Sequence, residues 1–252
     1  MADKAVIVTG ASQGCGRAIA EAFLNASYTV VGLSRKLPGW GSEYGARFIP
    51  FSCDVSREDE VERVFSAAEE AVGSPIRVLV NNAGISFASP IESDTLEHWE
   101  REFAVNTTGV FLCTRHIVSR LIKNNLPGRI INISSIAGRN AFPNLSAYSA
   151  SKAAVIGFSR SLAVELGSRD ITVNVICPGS VETEMFRDVL KRLSAESGKP
   201  LEEITREQTS IIPLRRFQQP EDVAALALFL ASDSAGNISG EAINLDGGLV
   251  RC

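Results

Sequence analysis

The sequence is poor in the residues that build metal sites and redox staples. Its two histidines, His98 and His116, gather no cluster of cysteines about them, and Cys15, Cys53, Cys113, Cys177 and Cys252 form no CxxC pair. No metal is expected, because nothing has zinc-ligand spacing, and an odd number of scattered thiols does not describe a disulfide framework. Basic residues are in deficit: 25 Lys+Arg against 29 Asp+Glu give a formal net charge of −4, with no segment gathering a basic block. Binding to nucleic acid, which draws on a concentrated basic footprint, is therefore disfavoured. Long apolar runs are missing too. The longest, Val223 to Ala231, is far short of the roughly 20 residues a membrane span needs. The opening Met1-Ala2-Asp3-Lys4 carries an acid where a secretory signal would be basic. These absences point to a cytoplasmic protein that works away from membranes.

What is present is an ordinary globular composition, 45% hydrophobic and 21% charged in 252 residues. That is enough to bury a substantial core, and one domain over residues 1–252 is expected. Apolar runs of strand length alternate with longer helical patterns. Strands are expected at Ala5–Thr9, Thr29–Leu33, Ala46–Phe51, Val78–Val80, Arg129–Ile133, Thr172–Ile176 and Ala242–Leu245. Helices are expected at about Gly14–Asn25, Asp59–Val72, Leu96–Lys123, Ser149–Leu166 and Glu221–Ala231. Near-continuous Val/Ile strands are those buried on both faces, and strand–helix alternation calls for a parallel sheet. The fold class is α/β: a doubly wound sheet of seven parallel strands flanked by helices. The polar, helix-prone stretch 182–212 interrupts the rhythm and reads as a surface hairpin or a lid over a substrate.

Two clusters carry chemistry. The first strand runs into Thr9-Gly10-Ala11-Ser12-Gln13-Gly14-Cys15-Gly16, where three glycines crowd a strand-to-helix turn. Such glycines permit tight backbone geometry and close ligand approach, and free N–H groups at a helix start attract a pyrophosphate. The second is Tyr148-Ser149-Ala150-Ser151-Lys152, whose spacing of four places Tyr148 and Lys152 on one helical face. A tyrosine loses its proton near pH 10, so it serves acid–base chemistry at neutrality only if a neighbouring cation such as Lys152 favours the phenolate.

Taken together, these stations resemble the short-chain dehydrogenase/reductase family along the whole chain. The matching segments are TGASQGCG at Thr9–Gly16, Asp54-Val55, NNAG at Asn81–Gly84, Asn106, Ser134-Ser135, YSASK at Tyr148–Lys152, PGSVET at Pro178–Thr183 and LDGG at Leu245–Gly248. The resemblance implies a single Rossmann-type domain in which Tyr148 donates or accepts a proton and Ser135 orients the substrate carbonyl. A serine about thirteen residues before the tyrosine selects Ser135 over Ser134. Lys152 would lower the tyrosine pKa and hold the nicotinamide ribose, and Asn106 would position a water in a proton relay. Hydride chemistry belongs to the cofactor, while the protein supplies a proton and donors to a developing alkoxide.

The same resemblance assigns cofactor contacts to Gly10, Ser12, Gln13, Gly14, Cys15 and Gly16 around the pyrophosphate. It assigns Asp54 and Val55 to the adenine, and Asn82, Ala83 and Gly84 to the adenosine side. Tyr148 and Lys152 join the nicotinamide end, which Pro178, Gly179, Val181 and Thr183 would close. An NAD enzyme commonly places an acid after the second strand for the ribose 2′-hydroxyl. Here Ser34 stands in that place and Arg35 follows, a planar fork suited to a 2′-phosphate, with Lys36 beside it. NADP(H) is the expected cofactor.

Cys15 stands where this family commonly has isoleucine. It reads either as a small apolar packing residue or as a thiol whose pKa the helix start lowers. The loop Lys36–Arg47 leaves little room for a helix between strands two and three, and Trp40 would plug that gap or cover the adenosine edge. The tail Arg215-Arg216-Phe217, Pro220–Val223 and Ser239-Gly240 resembles 3-oxoacyl-acyl-carrier-protein reductases, whereas Leu193–Ile212 resembles the lids of polyol, sugar and hydroxyketone dehydrogenases. A mixed wall of Ile85, Ser86, Phe87, Ala137, Phe142, Pro143, Met185 and Phe186 favours a small or medium apolar ketone or its alcohol, with Arg139 and Arg187 available to an anion. The expected activity is that of an NADP(H)-dependent carbonyl reductase or alcohol dehydrogenase, assembled as a homotetramer or homodimer. The competing reading, a non-catalytic dinucleotide sensor, would be favoured by an altered Tyr148 or Lys152, and both are intact.

Overall fold

The computed structural model describes residues 4–250. Residues 1–3, Cys252 and the outer limits of the expected domain therefore lie outside the described residues. Seven strands form one sheet in the order β3-β2-β1-β4-β5-β6-β7. They are β1 (Ala5–Thr9), β2 (Thr29–Ser34), β3 (Phe48–Ser52), β4 (Val78–Asn81), β5 (Gly128–Ile133), β6 (Ile171–Pro178) and β7 (Ala242–Leu245). All six pairings are parallel. Order reverses between β1 and β4, and a doubly wound sheet binds its ligand beyond the strand C-termini at such a switch point.

Helices α1 (Gly14–Asn25) and α8 (Pro220–Leu230) belong to one face, and α2 (Glu58–Val72), α4 (Gly109–Lys123) and α5 (Ser146–Leu166) to the other. Every β1 residue and every β6 residue is buried, which is why those strands read as unbroken apolar or small-residue runs. Phe23 and Leu24 of α1 and Phe65 of α2 are fully buried in the two opposed core clusters. Truncating such a phenylalanine to alanine costs roughly 3–5 kcal/mol. Local signals set the helix ends. Glu58, Asp59 and Glu60 offer negative charge to the first turn of α2, and Gly73 closes that helix at φ 67°.

Three boundaries depart from the sequence reading. Residues 42–47 coil into a 3₁₀ turn, so β3 begins at Phe48 rather than Ala46, and no α-helix links β2 to β3. Helix α5 begins at Ser146, placing Tyr148 inside its first turn. The long pattern Leu96–Lys123 is α3 (Leu96–Phe103), a π-turn (Ala104–Thr108) and α4 in unbroken succession. Residues 182–212 hold α6 (Glu184–Ser197) and α7 (Leu201–Ser210), a helical pair whose inner side is a small cluster of Leu190, Ile204, Ile212 and Phe217.

Candidate active site

The turn after β1 is locked by its neighbours. Gly10 takes φ 69° and its N–H donates to the Leu33 carbonyl at 2.7 Å. A Cβ on Gly16 would lie 2.1 Å from the Gly10 carbonyl oxygen, so only glycine fits there. Asn82 Nδ2 donates to the Thr9 carbonyl at 3.0 Å, and the Thr9 hydroxyl accepts from the Asn82 and Ala83 N–H groups at 2.9 and 3.0 Å. Thr9, given no role of its own in the sequence reading, is thus the stitch between the β1 and β4 turns. Helix α1 opens on Gln13 with no side-chain cap, which leaves its first N–H groups for a ligand. Across the crevice Thr183 caps α6, and its methyl group would lie 3.3 Å from a Cβ on Gly14. The cradle suits a pyrophosphate, and an exposed Arg35 at its rim forms no ion pair among the described residues. The buried Ser34 hydroxyl turns inward to donate to the Lys36 carbonyl at 2.6 Å.

The other cofactor candidates ring the same crevice. Asp54 Oδ1 accepts from the Ser56 N–H and hydroxyl at 3.0 and 2.7 Å, shaping the turn that presents Val55. Gly179 donates to the Leu245 carbonyl at 3.0 Å, and Pro178 ends β6. Val181 is buried where the chain pairs with Gln218. Cys15 packs against the core, and burial pushes its thiol up to about 11, so the packing reading holds and the lowered-pKa alternative does not. Trp40 stacks on Phe48 at 4.4 Å and donates from Nε1 to the Ser12 carbonyl at 3.2 Å. It fills the space beside the short β2–β3 connection and braces the phosphate turn at once.

Ser135, Tyr148 and Lys152 come together from the end of β5 and the start of α5. Ser134 and Ser135 have different work. The buried Ser134 hydroxyl donates to the Lys152 carbonyl at 2.8 Å, whereas Ser135 Oγ accepts from the Ala137 N–H at 3.1 Å and acts on Tyr148, pulling its pKa down. Lys152 Nζ donates to the Ile133 carbonyl at 3.0 Å and lies 5.8 Å from the Tyr148 ring centroid. Burial pushes Lys152 down to about 8 and is also the largest influence on Tyr148, whose hydroxyl rises to about 12 against the pull of Ser135. Desolvation outweighs the pull of Ser135 on Tyr148 in this arrangement.

Asn106 sits fully buried inside the π-turn, a kind of local widening that often marks functional positions. Its Oδ1 accepts from the Ile85 N–H at 2.9 Å. Its Nδ2 donates to the Ile85 carbonyl at 2.9 Å and to Ser151 Oγ at 3.0 Å. The side chain thereby pins the segment after Gly84. One turn earlier Glu102, which the sequence reading passed over, is also fully buried, and its Oε1 accepts from the Phe87 N–H at 2.6 Å. An acid four residues before Asn106 on a helical pattern was the available signal.

A cleft of about 440 Å³ runs between Ser89–Glu92 and the 141–149 segment, which lines it with Ala141, Phe142, Pro143, Asn144, Ser146 and Ser149. Phe142 and Pro143 of the expected wall line it, and Ser149 Oγ is buried there without a partner. Arg139 does not face the cleft: it donates to the Ala242 carbonyl and to Asn244 Oδ1 on β7. Phe186 packs edge-on against Phe217 within the helical pair. No group of three or more metal-ligating side chains occurs among the described residues.

Comparison with known proteins agrees with this geometry. A family model described as enoyl-(acyl carrier protein) reductase matches residues 10–250. The 3-oxoacyl-(acyl-carrier-protein) reductase of Synechocystis sp. is 40% identical over 252 residues, spanning 97% of this chain and 96% of the relative. That of Aquifex aeolicus is 38% identical over 253 residues, spanning 98% and 97%. Among solved structures, a variant of the actinorhodin polyketide ketoreductase with NADPH superposes with a TM-score of 0.92 at 32% identity, covering 99% of both chains. The ligand-free aldohexose dehydrogenase of Thermoplasma acidophilum gives 0.89 at 35% identity, covering 98% of this chain and 94% of that one. With a family match over nearly its whole length, relatives at 40% identity and a Rossmann-type sheet, this chain belongs to the short-chain dehydrogenase/reductase family of oxidoreductases.

Proposed function

We propose that this chain is an NADP(H)-dependent carbonyl reductase whose substrate class is a 3-oxoacyl thioester or a related ketone. The observation that carries the reading is the convergence of Ser135, Tyr148 and Lys152 at the C-terminal edge of β5. The names of the reductases at 38–40% identity support the substrate class.

Bound NADP(H) supplies or accepts the hydride. The α1 N–H groups with Gly10, Ser12, Gln13, Gly14, Cys15 and Gly16 would hold its pyrophosphate. Arg35, beside Ser34, would pair with the 2′-phosphate, and the solved relatives carrying NADP or NADPH support the choice of cofactor. Asp54, Val55 and Asn82–Gly84 would form the adenosine side, and Pro178, Gly179, Val181 and Thr183 the nicotinamide side. Ser135 orients the substrate carbonyl. Tyr148 delivers its hydroxyl proton to the oxygen that gains charge, and Lys152 stabilises the phenolate left behind. Asn106 fixes the Ile85 peptide from inside the π-turn and so holds the segment that follows Gly84.

NADPH consumption with an acetoacetyl thioester, a small diketone and a crotonyl thioester tests the reading, with NADH as the control. Turnover of the acetoacetyl thioester is expected, and its absence alongside crotonyl turnover would overturn the assignment in favour of double-bond reduction. A second reading, a sugar or hydroxyketone dehydrogenase, rests on the helical pair α6–α7 and the aldohexose dehydrogenase likeness. Diketone turnover alone would select it.

Assembly as a homodimer or homotetramer accords with apolar side chains left on the outer faces of α4 and α5. Phe111 and Val164 are 43% and 87% exposed, and Phe111 meets Phe158 edge-on. A cytoplasmic location accords with the free thiols Cys15, Cys53, Cys113 and Cys177.

A further inference from the structure

Helix α3 and the turn before it carry a polar ladder at intervals of four: Asp94, His98, Glu102 and Asn106. His98 Nδ1 lies 3.0 Å from Asp94 Oδ1, and its ring stacks on Phe87 at 4.4 Å with 12° between planes. Glu102 holds the Phe87 N–H through Oε1, and Asn106 holds both polar groups of the Ile85 peptide. Asn106 Oδ1 and Lys152 Nζ both flank Gly84, since a Cβ there would lie 3.2 Å from the first and 3.3 Å from the second. His98 at the outer end is half-exposed, whereas Glu102 and Asn106 are fully buried.

Glu102 Oε2 is buried and accepts nothing. A carboxylate oxygen sealed from water without a donor is costly, and a proton on it removes the cost. The charged groups that act on Glu102 are Asp94 and His98 from its own ladder and Lys152 from α5, and Glu102 acts in turn on Tyr148. Burial is the largest influence on the carboxyl and Asp94 adds to it, both raising its pKa; the Phe87 N–H, His98 and Lys152 oppose them.

We propose that Glu102 is a protonable positioning residue of the reaction: its charge sets the ionisation of the Tyr148–Lys152 pair, and the His98–Asp94 pair at the surface sets its charge. An ionised Glu102 holds the protons on Lys152 and Tyr148 more tightly, and a neutral Glu102 releases them. Nothing is transferred to substrate from Glu102 itself. The inference rests on the reductase reading above for its kinetic consequence, though not for the carboxyl's own titration.

The test pairs infrared spectroscopy of the unliganded protein with pH profiles of NADPH-dependent reduction of an acetoacetyl thioester. Wild-type protein is expected to show the carbonyl stretch of a buried protonated carboxyl that bleaches as pH rises, and Glu102→Gln to lack it. Gln keeps an oxygen for the Phe87 N–H, so thermal unfolding should be unmoved. With the negative charge gone, the basic limb of kcat should shift to lower pH by about one unit. His98→Gln, at a half-exposed position, should move the same limb in the same direction by less and should carry the infrared band to higher pH. Superimposable pH profiles for wild type and Glu102→Gln, or an infrared band unaffected by Glu102→Gln, would overturn the proposal. A wild-type enzyme silent toward the thioester but showing the band would count against the substrate reading and in favour of the Glu102 assignment.

Discussion

The turn after β1 and the helical pair after β6 face each other across one crevice, and they are held by opposite means. The first is backbone locked to backbone: Thr9, Gly10 and Gly16 meet the Asn82 segment at hydrogen-bond or contact distance, with both core clusters beneath. The second rests on four buried apolar side chains and on ion pairs in water, such as Lys199 with Glu203 and Glu207. Elements with few buried apolar contacts open at lower free energy than core strands. A reductase needs a fixed grip on a dinucleotide it always uses and a covering element able to part for each substrate. The contrast between the two walls matches that division.

Substitutions can break or sharpen the contrast. Gly16→Ala should cost about 3 kcal/mol or more, because backbone on both sides resists the added methyl. Loss of NADPH binding in a chain with a lowered Tm is expected; unchanged binding would show that the turn gives way more readily than its packing indicates. Tyr148→Phe should cut kcat by roughly 10²–10⁴ while NADPH still binds, as removal of a general acid does. Stopped-flow binding and steady-state rates separate the two effects. Arg35→Ala should weaken NADPH by roughly 10–100-fold, the worth of a charge-assisted bond, and leave NADH alone. Equal losses for both cofactors would move the 2′-phosphate contact elsewhere. On the other wall, Leu190→Ala should lower protection from hydrogen exchange over α6 and α7 and raise KM, with β1 amides unaffected. Lys199→Ala, in an exposed ion-pair group, should leave both Tm and KM where they are.

Legibility followed the same divide. The limits of β1 and α1 are readable because a continuous apolar run, a glycine turn and an amphipathic repeat follow one another without ambiguity. Ala5–Thr9 and Gly14–Asn25 are the observed spans. Tyr148 and Lys152 are readable because both lie on one helix. Contacts set by tertiary packing were not readable. Arg139 looked free to meet an anion until β7 claimed it, and Glu102 looked like one more charge on a polar helix. The π-turn at Ala104–Thr108 leaves no trace in composition, since it is made by what Asn106 binds across the fold rather than by local propensity.

The position of Trp40 makes the phosphate turn optically addressable. The indole hydrogen-bonds to Ser12, stacks on Phe48 and lies under the Arg17 guanidinium at 5.3 Å. The only other tryptophan, Trp99, is on the outer side of α3, stacked on Phe103 and 44% exposed. A Trp99→Phe protein would hold a single emitter a few bonds from the dinucleotide cradle. Its quenching on NADPH addition would test the proposed placement of the pyrophosphate at Ser12, independently of any substrate or turnover.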